Sequence, residues 1–567
     1  MSLPSDAGLV PETVASASAT AQTPDVPSPL RSPSPAPAAK KSRLHAAAGS
    51  TPASASPPEL PPLGVIALSR AGFGPRPGAL ESFEALGATD EARLEAYVEQ
   101  QLHPESINDS DVEARLVAAG LTTLSKTREQ LWQDHHFAAG NDYGLRYQPI
   151  YETQRAAFIR AVYSRRQLNE VLADFWHNHF NIYAPNYWIG PLWVHYDRDI
   201  IRPNMLGNFR VFLEAVAKSF PMLHYLDLFV NTVVGPNENF ARELFELHTL
   251  GAENYLGVRD PEEVPVDSEG RPIAYVDSDV YEATRALTGW TVDFELAEFK
   301  YSGPDHDRFR KYVLGKALKQ DQASLKDGHD VLDLVASHPG TARHISRKLA
   351  RRLIADNPPA RVVEEAAAVF LANAEEPDQL LRVTRAILLS PEFRTTWGQK
   401  VKRPFHFAVG ILRSLDAQLS FAPGDEPSDY FVWLANQAGH PPFHWLTPDG
   451  FPDVAEKWLG TNAIVGGWRT VNWLVNLKNW WSGKYILFDP IAVIPSDVRS
   501  PVEIVDFWIH RLLGRPLPEA ARLEAIDFMA RGRDPEMKLP GFSEDIVRER
   551  IHGLLGLILM APENMMR

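Results

Sequence analysis

From Leu63 onward, apolar residues return every three or four positions in one segment after another, a period that suits helices and leaves little room for strands. The clearest runs are 90–102, 111–119, 152–180, 207–218, 238–250, 279–288, 341–354, 362–374 and 379–389. Strand-like alternation is limited to 272–276 and 295–313. Asn237 and Asp279 stand where helix N-caps belong, and Gly251 and Gly289 stand where a left-handed residue closes a helix. No internal repeat is visible. The expectation is a mainly α protein: a large multi-helix globular body with a few short β elements.

Ahead of that body, residues 1–62 hold 13 Pro, 11 Ser and 13 Ala without a single Phe, Trp or Tyr. Such a segment buries too little surface to offset the entropy of ordering it, so a disordered Pro/Ser/Ala-rich tail is expected. A helical domain over 63–415 follows. The remainder, 416–567, reads as a Trp-rich helical lobe, either separate or continuous with the main body, because 8 of the 14 tryptophans fall between Trp433 and Trp508.

The formal charge of 57 − 72 = −15 argues against nucleic acid as a partner. The absence of cysteine removes disulfides, thiolate-held zinc, iron–sulfur clusters and thiol nucleophiles, and leaves His, Asp and Glu as the strong metal ligands. No stretch reaches the roughly 18–20 apolar residues of a membrane span, and no secretory signal follows Met1. A cytoplasmic address is expected, or a periplasmic or secreted one if translation starts elsewhere.

Four helical blocks concentrate ionisable side chains. In 168–180 (LNEVLADFWHNHF), a helix places His179 with Leu168, Leu172 and Phe175, while His177 and Glu170 face the other way, so only one imidazole is expected in the core. In 237–251 (NENFARELFELHTLG), His248 lies within the apolar stripe. Glu238, Arg242 and Glu246 stack at four-residue intervals beside Glu243, while Glu246 and His248 point nearly opposite ways and so lack the spacing of a di-iron bundle. In 279–290 (DVYEATRALTGW), Glu282 and Arg285 are three apart and able to pair, and His306 and Asp307 follow in a loop. In 338–356, His344, Lys348 and Arg352 form a cationic ridge beside Ile345, Leu349 and Leu353. That ridge either meets the Glu-rich 238–246 helix, faces water, or receives an anion such as a phosphate or an acidic polysaccharide. The aromatic residues beyond 433 offer core area or a surface on which sugar rings stack.

These blocks, with LSRAGFGPRPG (68–78), SPEF (390–393) and PDGFP (448–452), resemble in order and spacing a large bacterial family known as domain of unknown function 1800, over about residues 68–473. The resemblance implies a helical body and, from a frequent genetic neighbour of the family, a sulfatase-like protein partner. It assigns no chemistry.

Two functional readings follow. The first is a metal-assisted or acid/base enzyme whose interior cleft gathers His179, Arg242, Glu246, His306 and Asp307 as catalytic residues, with His179, Glu243, Glu246, His248 and Glu282 as ligands for a divalent metal. The second is a non-catalytic binding or scaffold protein in which the same residues fix helix packing, and a glycan or the sulfatase-like partner is recognised on the surface.

Overall fold

A computed structural model describes residues 59–476, 487, 489–540 and 545–567. The expected tail lies almost wholly outside the described residues, as do Trp480 and Trp481. The fold is mainly α with two small antiparallel hairpins, as the periodicity requires.

Helix α1 (Leu63–Arg70) is followed by α2 (Asp90–Leu102), whose Thr89 hydroxyl accepts the Ala92 N–H at 3.3 Å and whose first turn carries Asp90 and Glu91 against the helix dipole. The long 152–180 run divides into α3 (Tyr143–Tyr163) and α4 (Gln167–His179). The break comes at Ser164, whose extended backbone lets its hydroxyl donate to Asp109 at 2.6 Å while accepting the Arg166 N–H at 2.9 Å.

The 238–250 segment starts as a short helix, α5 (Asn239–Glu243), and continues as a π-turn, Leu244–His248. Asn237 is not its cap but forms a turn just ahead, accepting the Asn239 N–H at 3.0 Å. Asp279 is likewise the third residue of α6 (Asp277–Ala286), reaching back to the Val276 N–H at 3.0 Å. Gly251 and Gly289 do take positive φ, 90° and 78°. A Cβ at 251 would collide with Glu253 and His344.

The hairpins pair β1 (Trp290–Asp293) with β2 (Glu298–Tyr301) and β3 (Lys311–Val313) with β4 (Lys316–Leu318). The 272–276 segment makes only isolated bridges, Val266 to Pro272 and Tyr255 to Tyr275. Helix α7 (Lys326–Ala336) leads into three helices stacked in chain order, α8 (Pro339–Leu353), α9 (Ala360–Ala372) and α10 (Gln379–Leu388). Helix α11 (Pro404–Leu415) lies against α3 and against α12 (Thr461–Asn476) and α13 (Pro501–Leu513).

Buried side chains on both sides of position 416, from Phe405 and Leu412 to Phe431, Val471 and Trp508, join one continuous apolar core. Residues Pro58–Arg567 form one compact unit. Among the described residues no helix is long and apolar enough to cross a membrane.

Candidate functional site

Helix α4 is buried on both sides, which overturns the expectation that only one of its histidines enters the core: His177 is 7% and His179 1% exposed. On the first side His177 Nε2 lies 2.8 Å from Asp197, and Arg202 bridges Asp197 and Glu170. On the other side His179 donates from Nε2 to the carbonyl of His248 at 3.2 Å, a tautomer assigned from that partner. His248 ends the π-turn with its ring centre 6.1 Å from that of His179.

Helix α8 closes over this face. Ile345, Leu349 and Leu353 anchor it in the core. Among the described residues the ridge beside them forms no ion pair with the Glu-rich 238–246 segment, and His344 Nε2 lies 3.2 Å from the Leu247 carbonyl just beyond it. His344 and Arg347 instead share Glu253, at 3.2 and 2.7 Å, while Lys348, Arg351 and Arg352 continue along a cavity of about 250 Å³.

The third wall is the 449–453 loop. Asn178 grips it at two points, donating to the Phe451 carbonyl at 2.7 Å and accepting the Phe451 N–H at 2.6 Å. Asn181 donates to the carbonyls of Trp445 and Thr447. The chain passes so close to α4 that position 450 must be glycine: its φ is 74°, and a Cβ there would fall on the Asn178 backbone oxygen. Asp449 and Asp453 thereby face the cavity alongside His179, His344 and Lys348.

Burial depresses all three imidazoles. His179 is pushed well below the usual histidine range by desolvation and by Lys348, His248 and His344. His248 falls to about 3 by burial, with Lys348 and His344 adding to it, and His344 falls by burial against the pull of Glu253. Lys348 is lowered to about 8 by burial and Arg351, opposed by Asp453, Glu253 and Asp449. Glu243 moves the other way, up to about 7, through burial and the charges of Glu246 and Asp449. The cavity wall thus holds neutral imidazoles and an amine lowered to about 8, while Glu243, raised to about 7, is not among the lining residues and is tied to the wall through the charge of Asp449.

Behind the cavity lies a buried ionic centre. Asp174 contacts Arg403 and stands 3.2 Å from both Arg352 and His406. Asp453 stands 3.0 Å from Lys400 and 3.3 Å from Arg352, and Lys400 also reaches Asp356 at 2.8 Å. Arg567 donates to His406 Nδ1 at 2.7 Å and to the carbonyls of Arg70 and Arg352 at 3.2 Å. Burial opposes the ionised form of Asp174 and Asp453, yet the surrounding guanidinium and ammonium groups hold both carboxyls well below their ordinary range.

The other predicted site residues form a separate group. Arg285 bridges Glu282 and Asp307, both at 2.8 Å, and Lys311 and His306 meet Asp327 at 2.6 and 3.3 Å. Arg242 pairs with Glu238 at 2.8 Å and with Asp277 at 3.4 Å, but not with Glu246, because the π-turn ends the regular four-residue stacking. Among the described residues His306, Asp307 and Glu282 share no hydrogen-bond or ion-pair partner with His179, Glu243, Glu246 or His248.

Among the described residues no group of three or more His, Asp or Glu side chains is placed to hold a metal ion. Asn178, Asp174, Asp449, Asp453 and Arg403 are not singled out by helical periodicity. The signal for the loop is the PDGFP block with the Asp453 that follows it, a glycine between two acids. Of the tryptophans in 416–567, Trp433 and Trp468 are exposed, whereas Trp458 and Trp508 are buried in the body.

The cavity is therefore assembled from three of the blocks noted in the sequence: FWHNHFN, HPGTARHISRKLARRL and PDGFP. A helical body with an interior ionisable cavity is the class of protein that the fold defines. The chain belongs to the family described as protein of unknown function DUF1800, whose model matches residues 66–566. No curated protein and no solved structure matches it.

Proposed function

We propose that the cavity between α4, α8 and the 449–453 loop is the active site of an acid–base enzyme. The observation that carries this reading is the convergence of ionisable groups from three distant segments on one hollow of about 250 Å³. Lys348 in the cavity wall, and Glu243 next to it through the charge of Asp449, are two groups whose protonation changes near neutrality, which suits proton transfer at a bound substrate. His179 and His344, held neutral, accept or donate hydrogen bonds without carrying charge. Glu246, beside Glu243, raises its pKa. His306, Asp307 and Arg242 lie outside this centre and support the structure around α6.

A reaction that needs Glu243 and Lys348 in opposite protonation states has a bell-shaped dependence of kcat/KM, rising near pH 7 and falling near pH 8. The test is a panel of p-nitrophenyl phosphate, sulfate, acetate and β-glucoside. Wild type is expected to turn over at least one of them with that profile. Glu243→Gln removes the rising limb, and Lys348→Met lowers the rate by about 10²-fold or more. Absence of turnover across the panel, or a profile unaltered by Glu243→Gln, refutes the reading.

A further inference from the structure

We infer that this cavity receives a tetrahedral oxyanion, the phosphoryl or sulfuryl group of a small-molecule substrate. The inference deepens the acid–base reading by naming its substrate class, and it rests on how the cations of α8 are partnered. His344 and Arg347 already share Glu253. One turn further on, the pattern changes. Among the described residues Lys348 makes no hydrogen bond and no ion pair, and Arg351 has no carboxylate partner, spending its Nε on the Asp356 carbonyl at 2.9 Å.

Arg352 is 1% exposed, and its Nε, Nη1 and Nη2 all lack a hydrogen-bond acceptor. Asp174 and Asp453 stand 3.2 and 3.3 Å from its guanidinium and balance charge, but neither lies where an N–H points. Both carboxylates are also shared with Arg403 and Lys400. Over the cavity wall and the ionic centre behind it, the five cations Lys348, Arg351, Arg352, Lys400 and Arg403 stand against the four carboxylates Asp174, Asp356, Asp449 and Asp453, a local excess of positive charge in a protein whose net charge is −15.

A buried guanidinium without acceptors is costly unless a ligand supplies them. The planar fork of Arg352 suits two oxygens of one tetrahedral group, with Lys348 and Arg351 as further donors. About 250 Å³ compares with roughly 30 Å³ for one water in the liquid, so there is room for such a group and part of what it is attached to.

The test is equilibrium dialysis of the full chain against labelled inorganic phosphate and, separately, sulfate, at ionic strength fixed with chloride. Saturable binding of one anion per chain is expected, weakened at least tenfold in both Lys348→Met and Arg351→Gln. Each variant's fold is checked by circular dichroism, and the two serve as independent probes should one fail to fold. Tighter binding of phosphate assigns a phosphoryl group, and tighter binding of sulfate a sulfuryl group. No saturable binding of either anion, or binding undiminished in both variants, overturns the inference. Binding without turnover of any panel substrate leaves the oxyanion site standing and removes the acid–base enzyme, so the two failures are distinguishable.

Discussion

Replacing Asp453 by alanine is expected to cost about 3–5 kcal/mol of folding stability at neutral pH, the range for removing one partner of a buried ion pair. Arg352 and Lys400 would be left beside Arg403 with Asp174 and Asp356 as the remaining counter-charges. The large cost comes from those uncompensated buried cations, not from the value of any one contact. Urea unfolding of wild type and variant measures it, and a loss below about 1 kcal/mol contradicts the ionic centre described here. The pH dependence has a definite sign. The carboxyl of Asp453 is held well below its ordinary range, so its contribution is full above the unfolded-state pKa and disappears as pH falls through the folded one. The gap between wild type and Asp453→Ala should persist at neutral pH and narrow only below about pH 4.

Gly450→Ala is expected to have the second large effect, and on activity more than on stability. The new methyl group meets the Asn178 carbonyl, and the backbone is already at φ 74°, so the loop must move away from α4 and give up the paired hydrogen bonds between Asn178 and Phe451. Backbone conflict of this kind costs about 1–3 kcal/mol. A displacement of Asp449 and Asp453 by about 1 Å lowers turnover by about 10²-fold while the helical body stays folded. Thermal unfolding and the p-nitrophenyl panel separate the two effects. Unchanged activity would mean that the loop position is irrelevant to the cavity.

Local chemistry made most of the helices legible. The 90–102 segment carries its cap, its acidic first turn and its buried Leu94, Tyr97 and Val98 within thirteen residues, so nothing distant is needed to specify it. Asp279 reads as a cap although it lies three positions past the cap, Val276, because a side chain that reaches back to an N–H looks much the same in sequence from either side of the helix start. The burial of His177 was hidden for a different reason. Periodicity assumes one wet face, and α4 has none, its outer side being dry through the Glu170, Arg202 and Asp197 network.

The site was legible only in part. His179 and His248 were recognisable as ionisable groups within apolar stripes, Glu243 as a neighbour of the polar Glu238, Arg242 and Glu246 stack, and Lys348 and Arg352 as a ridge. What periodicity does not encode is the π-turn, which adds a residue to one turn and changes the direction of everything after it. Glu246 lies inside that turn, and among the described residues Arg242 pairs with Glu238 and Asp277 and not with it. Glu282, His306 and Asp307 carry the same residue types as the cavity, yet Arg285, Lys311 and Asp327 already satisfy them.

The ionic centre also constrains how the molecule comes into being. Arg567 donates to the carbonyls of Arg70 and Arg352, partners 497 and 215 positions away, and Asp174 waits for Arg403 across 229. Closing loops of such length is entropically slow, so contacts of this order form after the local helices. Until the last of them closes, the cations of this centre remain hydrated and mutually repelling. Assembly of this cavity is thus expected to be a late event in folding, and a chain halted before it would carry nearly all its helices without the cavity between them.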